Sequence, residues 1–352
     1  MNHSLIVTAA GDSTRYKNYG PKWALTHPSG NIMAAEAIRG ISGYSRLVFV
    51  TKKEYVDTYG RDAIVRELAA SSPEAIPEVY GIDPTKSQVE TVIEAIRAAS
   101  VEGAFTVKDC DCAFNLRIPM TPMYQSAVVD LQETSNITAA NKSFATYDEE
   151  PSFGIGWANG FAEKRIVSRF FCCGAYTFPT TGDFLRLHAG ASYMSEVLGQ
   201  ALRCGQVVRL SVANGYADWG TAEDWKRFRA QFCTVFVDID GVLVGNGHRS
   251  FGKQWGQTPQ INRNIETLNA LSKRGRFYVV LTTSRPESAR EVTVKQLEGL
   301  DYKQLVMGLP VCGRCLINDW KPERGERTAR SIQVERDCQD IRPYLEAEGI
   351  IT

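Results

Sequence analysis

The chain has no excess of charge of either sign: forty Lys and Arg face forty Asp and Glu. That balance argues against a broad cationic surface, and so against nucleic acid as a partner. Long apolar runs are also missing. The residues up to Arg15 hold an apolar stretch of only a few positions and no small-residue cleavage site, so no secretory signal is expected. No stretch approaches the ~20 apolar residues that cross a bilayer. Histidine is scarce, and His3, His27, His188 and His248 have no spacing that would make a metal triad. The nine cysteines are scattered, which fits reduced thiols in a cytoplasm better than a disulfide framework. Cys312 and Cys315 have zinc-like spacing, but no second pair exists to complete four ligands. Pro-rich or Ser-rich linkers, internal repeats and low-complexity tracts are absent too.

What the chain does have is length and alternation. Its 352 residues exceed the roughly 100–200 of one domain, so two cores are expected. Apolar runs predict strands over Ser4–Ala10, Arg46–Thr51, Ala104–Lys108 and Phe170–Phe178, with helices over Gln88–Ala99 and Tyr193–Arg203. A charged, helix-like segment from Asp218 to Phe228 closes this series. A fresh strand, Cys233–Val237, opens another, with helices near Ile265–Lys273 and Glu287–Leu297 and strands at Phe277–Thr282 and Cys315–Ile317. The charged end from Glu323 predicts a terminal helix. The boundary falls near Ala230, giving domains 1–229 and 230–352. Alternating strands and helices imply an α/β chain with mainly parallel sheets, whose ligand sites lie beyond the strand C-termini.

One polar cluster follows the first strand. In Ala9, Ala10, Gly11, Asp12, Ser13, Thr14 and Arg15, small residues let the backbone approach a triphosphate and aim N–H groups at it. Arg15, and Lys22 after Pro21, supply positive charge for pyrophosphate departure. A plain strand-to-helix turn has the same composition and is the competing reading. A second cluster, Asp109, Cys110 and Asp111, ends another strand, and Asp218 precedes Trp219, Gly220 and Thr221 far downstream. Magnesium prefers oxygen ligands, with one or two carboxylates beside phosphate oxygens. Asp111 and Asp218 make a candidate pair; Asp109 reads as a solvated loop carboxylate and ranks below Asp111. In an extended chain Cys110 and Cys112 would point away from Asp111.

Residues 1 to about 228 resemble the nucleotidyltransferases that activate sugar phosphates and small alcohol phosphates. Their Ala-Ala-Gly-x-Gly-Thr-Arg pattern with a later Pro-Lys is similar to Ala9–Arg15 and Pro21–Lys22, with Ser13 where a second glycine is usual. The resemblance implies a Rossmann-like, GT-A-like mixed sheet. It implies nucleotide binding by Ala10, Gly11, Ser13 and Thr14, catalytic charge from Arg15 and Lys22, and Mg2+ on Asp111 and Asp218. Gln88, within Ser87–Thr91, stands where such enzymes read the base. Glu163 and Lys164 resemble the pair at the acceptor phosphate, although an exposed charged turn is the competing reading, and Gly174 stands where the acceptor packs. The implied reaction is attack of an acceptor phosphate oxygen on the nucleotide α-phosphorus, giving a nucleoside diphosphate conjugate and pyrophosphate.

The most specific motif is the run from Val235 to Leu243, a strand ending in Asp238 and Asp240 and then Gly241. Strand residues two apart share a face, so both carboxylates can converge on one phosphate as the chain turns. It resembles the first motif of the haloacid dehalogenase superfamily. The resemblance implies a small, capless Rossmannoid domain with Asp238 as nucleophile and Asp240 as general acid and then base. It further implies phosphate binding by Thr283, with Thr282 as an alternative, and by Arg314, with Lys295 and Lys303 as rivals. Mg2+ would sit on Asp238, the backbone carbonyl of Asp240, and Asp319, where Asn318 replaces the more usual second acid.

Together these resemblances imply a bifunctional cytoplasmic enzyme of capsular or cell-surface polysaccharide assembly, with magnesium as cofactor. Its partners would be a nucleoside triphosphate, CTP slightly favoured, and a phosphorylated small molecule. A homo-oligomer is left open. The alternatives are a transferase with a non-catalytic C-terminal scaffold, and a phosphatase with a nucleotide-sensing N-terminal domain.

Overall fold

Short runs of β-branched and aromatic residues, closed by glycines and polar turns, set the strands. The computed structural model describes every residue except 1, 2, 13–15, 17–19, 135, 136, 152, 153, 247–254, 311–319, 322–325, 328 and 352. Its contacts divide the chain into two units, Met1–Arg229 and Ala230–Thr352.

The first unit runs β1 (His3–Ala9), α1 (Met33–Arg39), β2 (Ile41–Ser42), β3 (Arg46–Lys52), α2 (Lys53–Tyr59), α3 (Arg61–Ala69), β4 (Pro77–Ile82), α4 (Gln88–Ala99) and β5 (Ala104–Asp109). There follow β6 (Cys112–Arg117), β7 (Tyr124–Asp130), β8 (Ser143–Thr146), β9 (Ile155–Ala158), β10 (Gly160–Glu163) and β11 (Phe170–Phe178). It ends with α5 (Thr181–Leu187), α6 (Met194–Arg203), β12 (Val208–Val212), β13 (Asn214–Asp218) and α7 (Ala222–Arg229). The main sheet has the order β4-β3-β1-β5-β11-β7-β12-β9. β4, β3, β1 and β5 are parallel, as alternation implies, but β11 is antiparallel to both β5 and β7. The sheet is therefore mixed. A parallel neighbour needs a crossover, usually a helix, and among the described residues no α-helix lies between β5 and β11.

Both faces of this sheet are covered. Leu5, Val7, Leu47 and Phe49 enter one apolar cluster, while Ile6, Val48, Val50, Phe105 and Val107 enter another, as the two-residue period of a strand requires. Burial on both sides explains why these strands read as unbroken apolar runs. Helix α4 is capped by Ser87, whose hydroxyl accepts from the Glu90 N–H at 3.2 Å. Its Val89, Val92 and Ile96 stripe packs into the second cluster, which holds Gln88 in the first turn near β1 and β5. The segment expected as one helix from Asp218 divides: Asp218 closes β13, and α7 starts at Ala222.

The second unit contains β14 (Cys233–Asp238), α8 (Asn262–Lys273), β15 (Phe277–Thr282), α9 (Arg290–Gln296), β16 (Gln304–Val306) and α10 (Arg342–Ala347). β14, β15 and β16 form a parallel sheet in that order. Val237, Val279 and Leu281 meet Ile265, Leu268 and Leu271 of α8 in its core. The expected strand at 315–317 lies outside the described residues. Of the charged end, α10 is the α-helix among the described residues.

Candidate functional site

Strand β5 brings Asp109 to the C-terminal edge of the sheet, and the chain turns at Cys110 and Asp111 before β6 begins. Lys108 builds that turn from inside. Fully buried, it donates to the carbonyls of Asp109 at 2.7 Å and Cys112 at 2.8 Å. Its ammonium also lies 4.5 Å from the centre of the Phe114 ring. A buried ammonium with such acceptors is satisfied. Because the chain turns, Cys112 does not point away as an extended strand would require. One ligand atom each of Asp109, Asp111 and Cys112 lies within 4.8 Å of the others. Burial pushes the Cys112 thiol up to about 12, so it stays protonated, and it donates to the Cys173 carbonyl at 3.1 Å.

Asp109 is held inside this turn and is not a solvated loop carboxylate. The Gln88 amide donates to its Oδ1 and to Thr8 Oγ1, the latter at 3.2 Å. Gln88, expected at the base, thus spends its amide on a carboxylate. The other side of Asp109 rests against Gly174, where β11 departs from regular register. Gly174 has φ +96°, and a Cβ there would stand 2.6 Å from Asp109 Oδ2. Glycine is needed at 174 for this approach as well as for its backbone. Burial, reinforced by the neighbouring Asp111 charge, raises the Asp109 pKa.

Asp111 is ion-paired with Lys22. Pro21 leads into a short 3-10 turn, Lys22–Ala24, and Trp23 anchors it by edge-on contacts with Phe49, Tyr55 and Tyr59. Asp218 arrives on β13, which pairs antiparallel with β6 so that Asp218 faces Cys112. The Trp219 N–H donates to the Asp111 carbonyl at 2.9 Å. Asp218 Oδ1 accepts the Gly220 N–H at 3.1 Å, and Oδ2 pairs with Lys142 at 2.7 Å. Lys142 also donates to the Tyr216 hydroxyl at 2.8 Å. Burial opposes its charge, but Asp218 outweighs that effect and raises its pKa. Sequence reasoning missed Lys142. It is a single lysine ahead of β8, and only the sheet topology brings it to Asp218.

Ala10 is buried, and a side chain at Gly11 would meet nothing within 4 Å, so the backbone there is open to approach. Ser13, Thr14 and Arg15 lie outside the described residues. Tyr16 follows them, buried, its hydroxyl donating to the carbonyls of Trp219 and Thr221, the latter at 2.8 Å. Glu163, at the end of β10, accepts from the hydroxyls of Ser143 and Ser195, the latter at 3.0 Å. It therefore faces inward, unlike a simple exposed charged turn. Lys164 has φ +51°, donates to the Tyr193 hydroxyl at 2.7 Å and lies 4.9 Å from that ring's centre.

The second cluster forms where β14 and β15 end together. Asp238 stands opposite Thr282 in the parallel register, and the chain turns at Gly241, φ +85°. Thr283 Oγ1 donates to Asp240 Oδ2 at 3.3 Å, whereas Thr282 Oγ1 donates to the Val237 carbonyl at 3.3 Å. Among the described residues, the cation that meets Asp240 is Arg285, which the sequence reading passed over. It is 1% exposed, and its Nε and Nη2 reach Asp240 Oδ2 at 3.0 Å and Oδ1 at 2.7 Å. Its Nη1 donates to Thr293 Oγ1 at 3.1 Å and Gln296 Oε1 at 2.7 Å. Its position three residues beyond β15 was the available signal, since the parallel register brings that strand end beside Asp238. Lys303 pairs with Asp301 at 3.4 Å; Lys295 lies on α9. Arg314, Asp319 and the Cys312–Cys315 pair lie outside the described residues.

No family model matches the sequence, and no curated protein matches it. Solved structures share its fold at low identity. The nucleoside-diphosphate-sugar pyrophosphorylase from Vibrio cholerae RC9 is 18% identical, with a TM-score of 0.50 over 64% of this chain and 98% of that one. A UDP-glucose pyrophosphorylase complexed with UDP-glucose is 13% identical, with a TM-score of 0.50 over 65% of this chain and 97% of its own. About two thirds of the chain thus has an α/β, mixed-sheet fold similar to these pyrophosphorylases. No helix among the described residues is long and apolar enough to cross a membrane.

Proposed function

We propose that the first unit is a nucleotidyltransferase that joins a nucleoside triphosphate to a phosphorylated sugar or small metabolite and releases pyrophosphate. The observation that carries this reading is the pairing of Lys22 with Asp111 at the exit of β5, where the backbone N–H of Trp219, the residue after Asp218, donates to the Asp111 carbonyl. The fold likeness to pyrophosphorylases adds to it. An acceptor phosphate oxygen attacks the α-phosphorus, the bond to the β-phosphate oxygen breaks, and pyrophosphate leaves. Such chemistry asks the protein for positioning and charge neutralisation. Lys22 and Arg15 neutralise the leaving group, the backbone at Ala10, Gly11, Ser13 and Thr14 receives the triphosphate, and Glu163, Lys164 and Gly174 border the acceptor.

Asp111 and Asp218 offer the hard oxygen donors that magnesium favours, while the protonated Cys112 thiol is a poor ligand for it. Bound there, Mg2+ supplies positive charge to the phosphates. The resemblance favours CTP as the nucleotide. The test is a matrix of four nucleoside triphosphates against a panel of monophosphorylated metabolites, read by pyrophosphate release. One productive pair, lost in Asp111→Asn, is the expected result. Silence across the matrix with tight nucleotide binding would replace the transferase with a sensor.

The second unit is read as a phosphate monoester hydrolase of the haloacid dehalogenase type. Asp238 attacks phosphorus and forms an aspartyl-phosphate as the ester oxygen leaves with a proton from Asp240. Water, giving its proton to Asp240, then attacks that phosphorus, the bond to the Asp238 oxygen breaks, and inorganic phosphate leaves. Thr283 and Arg314 hold the phosphate. Asp238, the Asp240 backbone carbonyl and Asp319 are the Mg2+ ligands of this reading. The gathering of Asp238, Asp240, Thr283 and Arg285 at the ends of two parallel strands supports it. Magnesium-dependent hydrolysis of an aryl phosphate, lost in Asp238→Asn, is the expected outcome. Both reactions fit a cytoplasmic step of cell-surface polysaccharide assembly.

A further inference from the structure

We infer that Lys142 is a further catalytic residue of the first site: its ammonium occupies Asp218 Oδ2, yields that oxygen to a divalent cation, and then meets the acceptor phosphate. The inference rests on the nucleotidyltransferase reading above and adds to Lys164 a second cation on the acceptor side.

The geometry makes Oδ2 contested. Asp218 Oδ1 already accepts the Gly220 N–H within its own turn, and a cation that takes Oδ2 stands beside the Lys142 ammonium on that oxygen. A divalent ion and an ammonium on one oxygen repel each other. Lysine can leave, because its charge is compact and its stem flexible. It would not travel far, since the Tyr216 hydroxyl lies 2.8 Å away and that ring's centre 5.4 Å away.

Its position points to the acceptor. The Lys142 carbonyl accepts the Lys164 N–H at 3.1 Å, and the next residue, Ser143, donates to Glu163. Lys142 therefore bridges the carboxylate Asp218 and the pair Glu163–Lys164. The Lys164 ammonium itself is directed to Tyr193. Lys22 on Asp111 repeats the arrangement on the other carboxylate. Two ammoniums neutralise two carboxylates, and an entering cation turns both toward the phosphates that come with it.

The test uses the full chain with Mn2+ and inorganic phosphate as probes, and Mn2+ binding followed by electron paramagnetic resonance. In the wild type, bound phosphate should tighten Mn2+ several-fold. Lys142→Gln should bind Mn2+ alone roughly tenfold tighter and lose most of the coupling to phosphate. Lys142→Arg, which keeps the charge but grips a carboxylate more firmly, should bind Mn2+ several-fold more weakly. Unchanged Mn2+ affinity in both variants overturns the inference. Asp218→Asn separates the two levels: if it weakens Mn2+ while Lys142 variants do nothing, only the role of Lys142 falls. Should Asp218→Asn also leave Mn2+ binding unaltered, the metal assignment behind the transferase reading falls with it.

Discussion

The two units set their aspartates against different cations. In the first, Asp111 and Asp218 each carry a lysine, and both partners keep some exposure, 19% for Lys22 and 17% for Lys142. In the second, Asp240 is held through two nitrogens of Arg285, which is 1% exposed and also tied to Thr293 and Gln296. A lysine is a point charge on a flexible stem, whereas a guanidinium is a planar fork that fixes its partner. The first arrangement can open when another cation arrives. The second holds one carboxylate in one place and leaves its cation no freedom to swing away.

The sharpest way to break this comparison is to show that the two sites are one. Asp111→Asn should lower pyrophosphate release by about a hundred- to a thousandfold, a loss typical of removing one central electrostatic group, and leave aryl phosphate hydrolysis within about twofold. Asp238→Asn should do the reverse. Parallel pyrophosphate and phosphate assays check both, and loss of both reactions in either variant would end the distinction. Stability gives the next contrast. Arg285→Met leaves Asp240 without its buried partner and should cost the second unit about 3–5 kcal/mol. Lys22→Met breaks a partly exposed pair and should cost the first unit only about 1–2 kcal/mol. Denaturant unfolding with a probe in each unit reads the difference.

Gly174→Ala tests how tightly the first cluster is built. Its φ of +96° disfavours any side chain, and the new methyl would press on Asp109 Oδ2, while the other oxygen, Oδ1, is held by Gln88. A backbone in that region costs of order 1–3 kcal/mol for a non-glycine residue. We expect about 2–3 kcal/mol in unfolding free energy with a matching loss of pyrophosphate release. A variant as stable as wild type would mean that Asp109 moves freely and that the turn is looser than Lys108 implies.

Legibility in the sequence followed the range of the interaction. Strands β1, β3, β5, β11 and β15 are unbroken apolar runs because both faces or a core face are buried, and α4 announces itself by Ser87 and a helical apolar period. The antiparallel placement of β11 was not legible, because strand direction depends on the missing crossover and not on the strand's residues. The same limit applies to chemistry. Asp111, Asp218, Asp238 and Asp240 lie at strand ends, where a linear reading can find them. Lys108, Lys142 and Arg285 are recruited across a turn or between strands; nothing local distinguishes the two lysines from other cations, and Arg285 is marked only by its place just beyond β15. Cys112 was misplaced because an extended chain was assumed where Lys108 folds it back.

The smallest effect should come from Tyr16, the contact that ties the loop after β1 to the segment after Asp218. Its ring is packed with Trp219, Trp225 and Met33, so Tyr16→Phe keeps the packing and removes only the hydroxyl. That hydroxyl faces the carbonyls of Trp219 and Thr221, and a net hydrogen bond of this kind is worth about 1 kcal/mol. Thermal unfolding should register that loss in the first unit alone. If the bond also sets the distance between the loop and Asp218, the KM for the nucleoside triphosphate rises about threefold while kcat stays within twofold. An unchanged KM with the stability loss would confine Tyr16 to packing, and would place the alignment of loop and carboxylate on the Lys22–Asp111 pair.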